Sequence, residues 1–149
     1  MSYGLRSYKT SRANTASRED LLILLYEGAI RFLERAIAEM EAKNLSEHKM
    51  YLRRGLAIIA ELQNTLDFEK GEELAVQLFD LYGFMIHRLT QANVTQDMSH
   101  IRVVIANMNT LLEGWREAVR QVKQIQDGAS ASAGAGEPDP LRRLVGGVA

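Results

Sequence analysis

Three histidines, His48, His87 and His100, are the residues of this chain best suited to metal or proton chemistry. Asp97-x-x-His100 has the form of half the ligand set of a helical-bundle di-metal centre. That chemistry needs two carboxylate-x-x-His pairs and two more carboxylates facing inward. Leu45 and Phe84 stand three residues before His48 and His87, so the second pair is missing. Asp97 and His100 therefore read as a helix cap and a surface group. The sequence has no cysteine, which removes thiolate zinc sites, disulfides and a cysteine nucleophile. It has no Gly-x-Ser-x-Gly elbow, phosphate loop, dinucleotide fingerprint or His-Glu-x-x-His. The acidic pairs Glu19-Asp20 and Glu72-Glu73 fall at expected helix N-termini, where negative charge is stabilising without any catalytic role. The residues point to a non-enzyme with no cofactor and no metal.

The chain has 149 residues, 46% hydrophobic and 25% charged, enough to bury a core as one domain. Lys and Arg number 18 against 19 Asp and Glu, a balance that argues against a nucleic-acid or membrane-surface binder. No apolar run approaches a membrane span, and no secretory leader is evident, so a cytoplasmic location is expected. The charge is uneven. Residues 1–16 carry Arg6, Lys9 and Arg12 and no acid, whereas residues 17–127 hold 13 basic and 17 acidic residues. A basic arm precedes an acidic body and is able to lie on it.

Residues 128–140, rich in Gly, Ala and Ser, read as a linker, and 128–149 as a flexible tail. Between the flanks the apolar residues recur at helical spacing, with no proline before Pro138. Four helices are expected. The first starts at Ser17, capped with Asp20, runs on Leu22, Leu25, Ala29, Leu33, Ala36 and Met40, and closes at Lys43-Asn44. The second begins near Ser46 on Leu52, Ile59, Leu62 and Leu66, ending at 67–70. The third follows Gly71 on Leu74, Leu78, Leu81, Met85 and Leu89 to Asn93. The fourth runs from Thr95 or Gln96 to Asp127 on Ile101, Ile105, Met108, Leu112, Trp115, Val119 and Val122. Short links make sequential helices antiparallel neighbours, so the expected fold is all-α, an antiparallel up-down four-helix bundle over 17–127.

These helices carry more apolar surface than a four-helix core uses. Leu21-Leu-Ile-Leu-Leu-Tyr26 is an unbroken run that covers the whole helix circumference. Val76, Phe79, Tyr82, Phe84 and Ile86 lie off or beside the third helix's main stripe, as Tyr51 and Ile58 do on the second. Such surplus marks a partner site, or else a helix flanked on both sides. Each helix also holds a glycine, Gly28, Gly55, Gly83 or Gly114, costing about 1 kcal/mol against alanine. Gly28 sits beside the surplus run and is expected to admit a close neighbour.

Tyr8, Thr15-Ala-Ser17 and Leu21-Leu-Ile-Leu-Leu-Tyr-Glu-Gly-Ala-Ile-Arg-Phe-Leu33 resemble the signature of the FliS flagellar export chaperones. Leu62-Gln-Asn-Thr-Leu-Asp-Phe-Glu-Lys-Gly-Glu72, Ala75-x-x-Leu78-x-x-Leu81-Tyr82, Arg88-Leu89-x-x-Ala92-Asn93 and Trp115 fit the same pattern in order, over about 3–125. Arg18 replaces the usual proline, Ala13 a larger aliphatic, and the tail has no counterpart. The resemblance implies a cytosolic bundle that binds the C-terminal segment of flagellin before export. It also implies contact with the export gate and, in some members, an anti-sigma factor.

Combining the surplus with the resemblance gives a candidate groove of Leu21, Leu22, Leu25, Tyr26, Gly28, Ala29, Ile58, Phe79, Tyr82, Ile86 and Asn93, with Tyr8 as an arm latch. For Leu22, Leu25, Ala29 and Tyr82 plain core is the competing reading; Tyr26 and Phe79 are the sharper assignments. Two other readings remain: a homodimer pairing its surplus stripes, and a bundle enzyme with a metal at His100.

Overall fold

The computed structural model describes residues 17–132, with side chains as far as Gly128. The basic arm and its Tyr8 latch, and the tail from residue 133 on, lie outside the described residues. Four helices follow one another: α1 Arg18–Glu41, α2 Leu45–Asn64, α3 Phe68–Thr95 and α4 Ser99–Ser132. Each starts and stops for local reasons. Ser17 is extended and its hydroxyl accepts from the Asp20 backbone N–H at 3.1 Å, capping α1. The box is one-sided, because the Asp20 carboxylate faces Lys123 on α4 at 3.6 Å. Left-handed backbone at Lys43 (φ 63°) and Gln96 (φ 58°) ends the turns after α1 and α3. Asp97 accepts from the Ser99 backbone N–H at 2.9 Å, which caps α4 and holds its carboxyl below the usual range.

Four boundaries differ from the sequence expectation: α2 ends at Asn64 rather than at 67–70, α4 begins at Ser99 rather than at Thr95 or Gln96, and two more have a local cause. α4 passes through Gly128 to Ser132, because the alanines among 128–132 are strong helix formers and outweigh one glycine. α3 begins before Gly71, with one turn at Phe68–Gly71 capped by the Asp67 carboxylate on the Lys70 N–H at 3.0 Å.

The helices pack as a square ring, α1 beside α2 and α4, and α3 beside α2 and α4. Three exposed ion pairs run down the α1–α4 seam: Asp20–Lys123, Glu27–Arg116 at 2.5 Å and Glu41–Arg102 at 3.6 Å. As the α1 number rises the α4 number falls by the same amount, which fixes the two as antiparallel. The α1–α2 pairs Gly28 with Ile58 and Gly55 with Leu33 do the same for that seam.

The core is built from Leu22, Leu25, Tyr26, Ala29 and Leu33 of α1, Leu52, Ile59 and Leu62 of α2, Leu78, Tyr82, Met85 and Leu89 of α3, and Ile101, Val104, Met108 and Leu112 of α4. The α3 stripe is rotated from expectation. Tyr82 and Ala75 turn inward, Leu81 is half-buried and Leu74 is exposed. At the centre the hydroxyls of Tyr26 and Tyr82 hydrogen-bond to each other across the ring, with Trp115 edge-on to Tyr26. His48 is also fully buried, and its Nδ1–H donates to the Ala36 carbonyl at 2.7 Å, tying α2 to α1.

The close helix approach belongs to Gly55. A Cβ there would lie 2.6 Å from Leu33 Cδ2, and Leu33 is sealed in the core. Gly28 is no such site: a Cβ there meets Ile58 Cδ1 at an ordinary 3.7 Å. Gly55→Ala is therefore expected to destabilise by about 1–2 kcal/mol, overpacking exceeding the helix-propensity gain. Gly114 has nothing within 4 Å, so Gly114→Ala is expected to stabilise by up to about 1 kcal/mol. Urea unfolding of the two variants checks both signs.

Candidate functional site

Most of the surplus apolar surface read from the sequence is absorbed by the bundle. Leu21, Leu22, Leu25, Tyr26 and Ala29 are buried, as are Ile58 and Tyr82. The surface reading of these residues is corrected. α1 has a neighbour on each flank, and Tyr82 of α3 reaches Tyr26 across the centre, so α1 hides a face much wider than a single stripe. Only Ile23 and Leu24 of the run are half-buried. Ile58 lies over Gly28, and Tyr51 stacks on Phe32 of α1 at 6.2 Å, with Arg35 and Arg54 over the pair. That seam consumes the second helix's extra apolar residues.

What remains open is on α3. Phe79 is 42% exposed and Val76 49%. Val76, Phe79, Gly83, Ile86 and Asn93 recur at spacings of three, four and seven, so they share one face of the helix. Ile86 is half-buried and Asn93 exposed. This face lies along the α2 seam, where the Gln63 side-chain amide donates to the Phe79 carbonyl at 3.1 Å. Gly83 keeps the seam low there, since its Cβ position is 3.4 Å from the same Gln63 nitrogen.

Phe68 extends the face, and sequence reasoning missed it by placing it at the end of the second helix. It is 48% exposed and packs edge-on against Phe79, with ring centroids 5.8 Å apart. A shallow depression lined by Asn64, Thr65, Leu66, Asp67, Phe68 and Glu69 adjoins it. Phe68 reaches Phe79 because α3 breaks at Glu72, whose φ of 53° and ψ of −128° are strained for any side chain. The adjacent Gly71 was the available signal, one residue away from the break. Glu72→Gly is expected to stabilise by about 1–2 kcal/mol, read as a raised thermal midpoint.

The arrangement offers hydrophobic contact and little else. Among the described residues no three His, Asp or Glu side chains converge to hold a metal. No helix of the described residues is long and apolar enough to cross a membrane.

A family model described as flagellar protein FliS matches residues 1–122. The chain belongs to the FliS family. Similar FliS proteins, each named a flagellar secretion chaperone, include one from Campylobacter jejuni that is 38% identical over 111 residues, covering 74% of this chain and 87% of that protein. One from Escherichia coli is 33% identical over 118 residues, covering 78% and 87%. One from Bacillus subtilis is 26% identical over 127 residues, covering 85% and 94%. The FliS match stops before the end of α4, leaving residues 123–149 outside it. The Phe68–Phe79 face lies within the matched region.

Proposed function

We propose that this chain is a flagellar export chaperone that shelters the C-terminal segment of flagellin on the outer face of α3. The carrying observation is the row of exposed Phe68, Val76 and Phe79 with half-buried Ile86 along one face of α3, in a bundle of the FliS family. The relatives' names, flagellar secretion chaperone, support the same reading. An amphipathic segment laid against this row hides its own apolar side, helix-in-groove style, and is kept from premature polymerisation. Burial supplies about 25 cal/mol per Å² of apolar area, and ordering costs remove most of it, leaving binding that is reversible. In this reading the buried members of the sequence-derived groove, Tyr26 and Tyr82 among them, shape α3 from beneath, while Phe79, Ile86 and Asn93 meet the cargo. The basic arm, through Tyr8, covers part of the face in the free protein. The held segment is then delivered to the export machinery.

The test is calorimetric titration of the protein with a peptide of the flagellin C-terminus. Saturable one-to-one binding that shields the α3 amides of residues 76–86 from exchange is the expected result. No binding, or shielding confined to the α1–α2 side, would refute the assignment.

A further inference from the structure

The outer face of α3 has a charge that the flagellin reading does not use. Its first half, residues 68–80, carries Glu69, Glu72, Glu73 and Asp80 against Lys70 alone. All four carboxylates are exposed, and among the described residues none forms an ion pair. The apolar patch of Phe68, Val76 and Phe79 is therefore rimmed by unneutralised negative charge. A complementary occupant is apolar on one edge and basic on the other.

The chain carries such a segment. Leu141-Arg-Arg-Leu-Val145 spaces its apolar residues at i, i+3 and i+4, the pattern of one helix edge, with Arg142 and Arg143 between them. No acid follows Asp139. The arm is basic too, but Tyr3, Leu5 and Tyr8 do not share that spacing.

Geometry allows the contact. α4 ends at the same end of the bundle as the α2–α3 turn, since Lys123 stands beside Asp20 near the start of α1. From the paired positions, Ser132 lies about 15 Å along the axis beyond the level of Val76 and Phe79. α3 is the adjacent helix, about 10 Å to the side. Residues 133–140 reach up to about 26 Å when extended, which spans that separation.

We infer that the segment Leu141–Val145 docks on the acid-rimmed Phe68–Phe79 patch of its own chain and competes with incoming cargo. The inference rests on the proposed role of this face only for the competition. A tethered segment sits at about millimolar effective concentration, so even weak docking occupies the patch for much of the time.

The absence of cysteine makes the test clean, because one introduced thiol is the only one. A nitroxide on Gly147→Cys of the full chain is expected to broaden the backbone amides of Phe68, Val76, Phe79 and Gly83. The broadening should vanish in the added double variant Leu141→Asp/Leu144→Asp, whose changes lie outside the bundle. That double variant, unlabelled, should bind the flagellin peptide at least about twofold more tightly. Broadening confined to the end of α4 would overturn the inference. So would broadening of the patch from a label at Ser7→Cys but not Gly147→Cys, which makes the arm the occupant. Broadening that appears only between labelled and unlabelled molecules, marking a second copy, would overturn it as well. Patch broadening with unchanged peptide affinity would uphold the docking and refute the flagellin assignment of this face.

Discussion

Phe79→Glu is expected to weaken binding of a C-terminal flagellin peptide by about thirtyfold or more, with the thermal midpoint within about 2 °C of the parent. The ring is 42% exposed and leans on Phe68, another exposed ring, so its loss removes little from the core. On the cargo side the same ring is the centre of the apolar row. Removing it forfeits about 2 kcal/mol of burial, and a carboxylate facing an apolar segment adds a desolvation cost. Calorimetry gives the affinity and a melting scan gives the midpoint. Unchanged affinity would move the cargo face away from Phe79; a collapsed midpoint would make Phe79 structural. Ile86→Glu serves as the graded companion, with a smaller loss of binding and a larger loss of stability because that residue is half-buried.

The second large effect is at the centre. Tyr26→Phe and Tyr82→Phe are each expected to destabilise by about 1–3 kcal/mol, because each strands the other hydroxyl in a dry core. The double variant is expected to cost no more than either single one, since it leaves no orphan hydroxyl. Urea unfolding of the three variants tests the coupling; strictly additive losses would show that the hydroxyls are not each other's partners. The same pair predicts alkaline sensitivity. Burial pushes the Tyr26 hydroxyl up to about 12 from its ordinary value of 10.0, opposed by its contacts with Tyr82 and Trp115. Burial also raises Tyr82 well above 10.0, and the nearby Tyr26 reinforces it. The folded state therefore keeps protons that the unfolded chain releases above about pH 10. This stabilisation is complete below pH 10 and is lost as pH rises toward 12. For Tyr26 alone it amounts to about 2–3 kcal/mol. The double phenylalanine variant should lack this part of the alkaline loss.

How far the sequence could be read is visible residue by residue. Four helices, their order and the Ser17 cap followed from apolar spacing and one hydroxyl, because those signals are local. The facing of α1 did not, since an apolar run from Leu21 to Tyr26 points every way at once. Only the placement of two flanking helices and Tyr82 decides which sides are covered. Gly28 and Gly55 look alike in sequence; the difference is Leu33, which comes from another helix. Phe68 escaped notice because its position depends on one residue, Glu72, adopting a backbone that its type disfavours. Phe79 is exposed as its place off the main stripe suggested, whereas Tyr82, read with it, turns inward because the α3 stripe is rotated.

The break at Glu72 also divides α3 mechanically. Helical hydrogen bonding is interrupted there, so fraying of Phe68–Gly71 does not propagate into Ala75 and Leu78 of the core. The amides of the turn that carries Phe68 are therefore expected to exchange with solvent independently of those of Ala75 and Leu78.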